Sequence, residues 1–213
     1  MIEIIWFVGL TATFLLATVE HFQKWTWRAP LKMIAAGAFI ALGLLGNHET
    51  LEQKLILMGL FFGFIGDAAL LSQKKKPFLF GIGAFLIGHA LYAAAWLPYA
   101  TLQTVTQIPS ILFILLALGF TPYIVRFADG FMQKAVVAYI LVISVMGVTA
   151  TAASHVSGDP RYVIGAAMFA LSDVSVALDR FTPIPRWHRW LGIPLYFVSQ
   201  YILASTLLQL SEA

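Results

Sequence analysis

Cysteine is absent from this chain of 213 residues, and charge is scarce, with Lys, Arg, Asp and Glu together making up only 11%. The first absence excludes disulfides, thiolate metal sites and a cysteine nucleophile, and leaves the redox compartment open. The second, with 60% hydrophobic residues and a mean hydropathy of +0.86, lies outside the range of ordinary soluble domains. No hydrophilic stretch is long enough for a soluble domain, so residues 1–213 read as a single integral membrane domain. The apolar runs lack the alternation, over about ten residues, of an outer-membrane barrel, which argues against strands. No Gly-rich phosphate loop, nucleophile elbow or zincin pattern occurs, and no two histidines have the close helical spacing of a metal site.

What is present is a series of long apolar runs. A hydrocarbon core of ~30 Å needs ~20 apolar residues per helix. Runs of this kind occupy 2–19, 30–46, 53–72, 78–97, 108–126, 133–153, 160–178 and 189–210. The expected fold is therefore all-α, a polytopic bundle of eight transmembrane helices. The first run follows MIEIIWF, which has no basic n-region and no small-residue cleavage site before Glu20, so it is expected to remain as a mature helix.

Basic residues are distributed unevenly. Eleven of the 13 Lys and Arg fall in alternate loops: Lys24, Arg28 and Lys32; Lys74, Lys75 and Lys76; Arg126 and Lys134; Arg180, Arg186 and Arg189. The other side holds only Lys54 and Arg161. The positive-inside rule makes the four basic loops cytoplasmic and both termini non-cytoplasmic. The net charge of +3 then reads as anchoring at lipid headgroups. Nucleic acid is not an expected partner, because no basic cluster is interleaved with aromatics.

The third run contains GFIGDAALL, an oily segment with one carboxylate, Asp67. Gly59 and Gly63 precede it on the same helical face, and Gly66 adjoins it. Small residues four apart let helices approach closely, so this face is expected to look into the bundle. An internal echo exists: Gly59 precedes Asp67 by eight residues, as Gly165 precedes Asp173. His89 and Tyr92 follow the first Asp by 22 and 25 residues; Tyr196 and Gln200 follow the second by 23 and 27. A four-plus-four parallel pseudo-repeat would produce this pattern, and so would chance similarity among apolar helices.

A carboxylate at helix depth costs roughly 2.5–3.5 kcal/mol on insertion scales and needs a partner or a wet cavity. Asp67 and Asp173 each lie seven residues before a basic residue, Lys74 or Arg180. That places both about 10 Å inside the cytoplasmic boundary. Tyr196, seven residues after Arg189, reaches the same depth, and Gln200 lies one turn deeper on its face. His89 lies nearer the midplane, with Tyr92 on the same face. These groups are expected to line one cavity open toward the cytoplasm. The structural alternatives are an interhelical hydrogen bond for each Asp, a satisfied core histidine for His89, and packing for Tyr92, Tyr196 and Gln200. Glu20, His21, Asp129, Asp179 and His188 fall at helix ends, and His48 and His155 in outer loops, where solvated or interfacial roles are the default.

Two carboxylates on one pocket separate into an acid and a base. Such a pair cleaves bonds that pass through an oxocarbenium-like state, glycosidic and vinyl ether linkages among them. A proton-coupled transporter or channel for small molecules or lipids uses the same intramembrane carboxylates, and the residues alone do not separate the two. A structural or regulatory membrane protein, in which neither Asp matters for turnover, is the third reading.

Four segments, GFIGDAALL, FGIGAFLIGHALYAAAW, GAAMFALSDVSVALDRF and PLYFVSQYILAS, cover about a quarter of the chain. In order and spacing they resemble the characteristic segments of the lysoplasmalogenase family, the YhhN-type membrane proteins, whose eight-span count also agrees. Runs one, two and five carry no matching motif. The resemblance implies hydrolysis of the vinyl ether bond of lysoplasmalogens to a fatty aldehyde and glycerophosphoethanolamine or glycerophosphocholine, without metal or organic cofactor. It implies a lysophospholipid substrate among membrane lipids; the basic loops, in turn, place the site toward the cytoplasm in a multi-pass protein expected in the cell (inner) membrane. The family's acids fall on Asp67 and Asp173, its His and Tyr on His89 and Tyr92, and its last pair on Tyr196 and Gln200. One Asp then acts as acid and the other as base, in an order left open. Tyr196, Gln200 and His89 orient water or the glycerol hydroxyl. Lys74, Arg180 or Arg186 at the rim would hold the phosphate, although headgroup anchoring accounts for those charges equally well.

Overall fold

The computed structural model describes residues 1–22, 25–72, 74–183 and 189–208. Among these residues there are nine α-helices and no strand: α1 (Ile2–His21), α2 (Arg28–Leu44), α3 (Leu51–Ala69), α4 (Lys75–Trp96), α5 (Leu102–Val105), α6 (Ile108–Val125), α7 (Gly130–Ser157), α8 (Arg161–Phe181) and α9 (Arg189–Ser205). Each apolar run read from the sequence falls on one of the longer helices. Between the fourth and fifth runs, Pro98 lies in a 3-10 turn, Leu97–Tyr99, and the short α5 follows, a detail the hydropathy pattern does not resolve.

Among the described residues five helices, α1, α4, α6, α7 and α8, are long and apolar enough to cross a membrane. The 17-residue α2 and α9 are shorter, and the 19-residue α3 carries Glu52, Lys54 and Asp67. The protein is thus an all-helical, multi-pass membrane bundle.

Local chemistry sets several helix ends. Thr50 caps α3 through the backbone N–H of Gln53, whose side chain reaches back to the Thr50 N–H. This reciprocal box satisfies two of the donors a helix start leaves unpaired. At the other extreme α7 stops at Gly158, whose φ of +74° is left-handed and favours glycine.

α3 packs along α4, α8 along α9 and α1 along α2, while α7 packs against both α4 and α6. Small residues make this closeness possible. A Cβ added at Gly59 would fall 2.6 Å from the Tyr92 ring, and one at Gly66 would fall 2.7 Å from the Phe85 ring. One at Gly63 would lie 2.8 Å from the Gln200 amide. The glycine face of α3 therefore looks into the bundle, as the spacing predicts. A central aromatic stack of Phe39, Phe85, Phe169, Tyr196, Phe197 and Tyr201 fills the space between α2, α4, α8 and α9. Outside, Phe7, Phe14, Leu112, Leu115 and Leu118 are exposed, the inversion expected where lipid is the solvent.

The two ends of the bundle are pinned differently. At the basic-loop end, Arg28 pairs with Glu20 and donates to the Leu70 carbonyl. At the opposite end, Arg161 bridges Asp159 and the Ser205 carbonyl, Asn47 donates to the Leu207 carbonyl, and Tyr99 donates to Glu52.

Candidate active site

Asp67 lies in the last turn of α3 and is almost wholly buried. Its Oδ2 accepts a 2.6 Å hydrogen bond from the Tyr196 hydroxyl on α9, and its Oδ1 lies 3.1 Å from Nζ of Lys32 on α2. Both oxygens thus face donors, the arrangement of a carboxylate acting only as an acceptor.

Asp173, at mid-length on α8, faces α4. Its Oδ2 lies 3.0 Å from Nε2 of His89, and its Oδ1 accepts a long 3.4 Å bond from Tyr139 on α7. His89 Nδ1 lies 2.6 Å from the Phe85 carbonyl. A carbonyl only accepts, so Nδ1 carries the hydrogen and Nε2 is left to Asp173. With Nδ1 so occupied, a single proton belongs to Nε2 and Oδ2 together whenever the pair is neutral overall. The two atoms are buried and close but are not aligned as a hydrogen bond, so no bond locks that proton in place.

Asp67 and Asp173 line one cavity of about 460 Å³, within the size range of ligand pockets. Tyr196 and Tyr139 lie on its wall, and Glu20, Arg28, Lys32, Lys75, Asp179 and Arg180 contribute charge. These charged groups come from the basic-loop ends of α1, α2, α4 and α8. Four basic and four acidic side chains therefore meet in one hollow among apolar helices, counting both Asp67 and Asp173.

The other expected residues are placed as follows. Tyr92 and Gln200 are fully buried and close on each other, the Tyr92 hydroxyl donating to Gln200 Oε1 at 2.8 Å. Neither lines the cavity. Arg180 does, and its guanidinium stacks 4.4 Å over the Phe78 ring. Lys74 is exposed and does not line the cavity, whereas the adjacent Lys75 does. Arg186 lies outside the described residues.

Two residues escaped the sequence reading. Lys32 was grouped with the headgroup anchors, yet it sits one turn inside α2, nearly buried, paired with Asp67. Its signal was present: it is followed by the apolar MIAAGAFIALGL, so it begins a buried face and not a solvated loop. Tyr139 offered no signal, since one tyrosine in an apolar run is usually packing.

The chain matches a model of the YhhN family over residues 6–207. It is 29% identical over 178 residues to a Bos taurus protein named lysoplasmalogenase TMEM86A, an alignment covering 80% of this chain and 71% of that protein. A Homo sapiens protein of the same name is 30% identical over 179 residues, with the same coverage. No solved structure matches it. With all but a few terminal residues inside the family match, the chain belongs to the YhhN family.

Proposed function

We propose that the protein is a membrane-embedded ether hydrolase that cleaves the vinyl ether bond of lysoplasmalogens, releasing a fatty aldehyde and a glycerophospho-alcohol. The observation that carries this reading is the presence of two carboxylates, each with its own proton-bearing partners, on one cavity in a lipid-facing bundle. The names of the similar lysoplasmalogenases point to the same chemistry.

Protonation of the vinyl ether at its β-carbon gives an oxocarbenium ion. A carboxylate beside it stabilises the cation and takes a proton from the water that adds to the α-carbon. The hemiacetal then collapses: its C–O bond to glycerol breaks, the leaving oxygen receives a proton, and the aldehyde forms. General acid–base catalysis of this type contributes about 10²- to 10⁴-fold, and oriented charge in a water-poor site adds to it. Tyr196 holds one carboxylate and His89 addresses the other. Tyr92 of α4 and Gln200 of α9, bonded to each other and packed on Gly59 and Gly63 of α3, fix the helices that carry Asp67 and Tyr196. Arg180, Lys75 and Arg28 at the rim offer charge to the phosphate.

The same reading extends to topology. Eight membrane crossings, with α2, α3 and α9 as short buried spans, put the charged mouth of the cavity on the cytoplasmic side of the cell membrane and both termini on the other. The site contacts support a four-plus-four duplication, because they are exchanged between halves: Asp67 of α3 meets Tyr196 of α9, and Asp173 of α8 meets His89 of α4.

The test is aldehyde release by the detergent-purified protein from a lysoplasmalogen, beside its saturated ether analogue. Aldehyde from the vinyl ether alone is expected. Its absence from a folded protein would remove the hydrolase reading and favour transport through the same carboxylates.

A further inference from the structure

Beside the polar cavity lies a second hollow of about 600 Å³, lined almost entirely by apolar side chains of α4, α6, α7 and α8, such as Leu86, Phe113, Phe120 and Ile143. It is not a separate site. Phe78, Ile82, Tyr139, Asp173, Val176 and Arg180 line both hollows. Of these, Phe78 and Ile82 belong to α4, and Asp173, Val176 and Arg180 to α8. These two helices flank the passage between the hollows and meet through side chains, Arg180 over the Phe78 ring and Asp173 beside His89. The bundle therefore offers a charged compartment and an oily one joined at a seam. Asp67 lines the charged compartment only, whereas Asp173, with Tyr139 on its Oδ1, stands at the seam.

A single-chain lipid has the matching division: a charged head, one hydrocarbon chain, and a short linkage between them. We infer that the groove between α4, α6, α7 and α8 seats the hydrocarbon chain of the lipid, and that Asp173 is the carboxyl that protonates the chain-side carbon of its vinyl ether. This rests on the proposed hydrolase reading and deepens it. With the head among Arg28, Lys75 and Arg180 and the chain among the phenylalanines, the linkage lies at the seam. Its β-carbon, the second carbon of the alkenyl chain, then lies on the groove side, where Asp173 is the only carboxyl among the described lining residues.

The proton balance closes. The proton of Asp173 moves to the β-carbon, the π pair forming the new C–H bond. Water adds to the α-carbon and its proton passes to Asp67. On collapse, the hemiacetal hydroxyl returns a proton to Asp173 and Asp67 gives its proton to the glycerol oxygen, so both groups return to their starting states. Water is the only co-reactant.

Gly83 provides a clean test of the groove. It lines the wall on α4, and a Cβ added there meets no heavy atom within 4 Å. Gly83→Leu should fold and project its side chain into the groove. The expected result is a fall in kcat/KM for a long-chain lysoplasmalogen that exceeds the fall for a short-chain one by roughly tenfold or more. An unchanged long-to-short ratio would overturn the groove. A saturated lysolipid ether carrying a diazirine at the chain end gives a second readout, independent of turnover. Adducts on α6 and α7 are expected; adducts confined to α1, α2 or α9 would overturn the assignment.

The role of Asp173 has its own readout. Added formate should partly restore aldehyde release to Asp67→Asn, in which the cation still forms, and not to Asp173→Asn, in which it does not. Rescue of Asp173→Asn alone would reverse the assignment. If the wild type is cross-linked in the groove but releases no aldehyde, the hydrolase reading falls and the lipid groove stands. If it releases aldehyde while the chain-length ratio is unmoved, the groove falls and the hydrolase reading stands.

Discussion

Nζ of Lys32 lies 3.1 Å from Oδ1 of Asp67, with only 11% and 2% of the two side chains exposed. An ion pair so enclosed is held together by its completeness, because either charge alone would be stranded in a medium that solvates it poorly. Lys32→Met should therefore destabilise the protein by about 3–5 kcal/mol, the cost typical of breaking a buried pair. Replacing both partners, as Lys32→Met with Asp67→Leu, should recover most of that loss. Thermal unfolding of the single and double variants in one detergent checks this. A double variant less stable than Lys32→Met would show that the pair is not the reason.

The close approach of α3 and α4 gives a second prediction. Gly59→Ala puts a methyl group within 2.6 Å of the Tyr92 ring, which is itself hydrogen-bonded to Gln200 and stacked on Trp96. The ring has no free direction in which to retreat, so a loss of about 1–3 kcal/mol is expected from overpacking. Gly37→Ala on α2 meets nothing within 4 Å. It should be neutral or stabilise by about 0.5–1 kcal/mol, since Ala is the better helix former. Paired melting curves decide the matter, and an equal effect at both positions would contradict it.

His89 and Asp173 should behave as one unit. If the histidine acts by presenting its ring nitrogen to the carboxyl, then His89→Ala lowers turnover in the wild type but adds little to Asp173→Asn, because groups that act together are non-additive. Single-turnover aldehyde release from the two single variants and the double one tests this. Additive losses would mean that His89 works elsewhere.

Outside the membrane-spanning segments, the Asp159–Arg161 clamp ties the start of α8 to the end of α9. Partial burial pushes the Asp159 carboxyl up, but hydrogen bonds to the Arg161 side chain and backbone, with its charge, outweigh this and hold it below the usual range. A carboxyl depressed in the folded state stabilises above its unfolded pKa, about 3.9, and that contribution fades as pH falls through the lower folded value. Wild type should thus melt above Asp159→Asn at neutral pH, and the gap should close below about pH 4. A gap independent of pH would assign the effect to packing.

The architecture was largely legible in the sequence because lipid imposes long apolar runs, and all eight runs fall on helices. Helix ends were shifted by a few residues, and the turn around Pro98 with α5 was missed, since hydropathy averages over short breaks. Asp67, Asp173, His89 and Tyr196 stood out because polar groups at depth are costly and therefore conspicuous. Lys32 did not, because a basic residue near a helix start is equally expected as an anchor; only its burial against Asp67 distinguishes it. Tyr92 and Gln200 were grouped with the site by depth and face, yet they point to each other, a difference of rotation that spacing alone does not resolve.

The most direct measurement of the central claim is aldehyde release from a lysoplasmalogen by the wild type, Asp67→Asn and Asp173→Asn, matched for folding by size-exclusion profile and melting curve. The carboxylate mechanism predicts that each variant falls by about 10²-fold or more. Full turnover in both folded variants would contradict it.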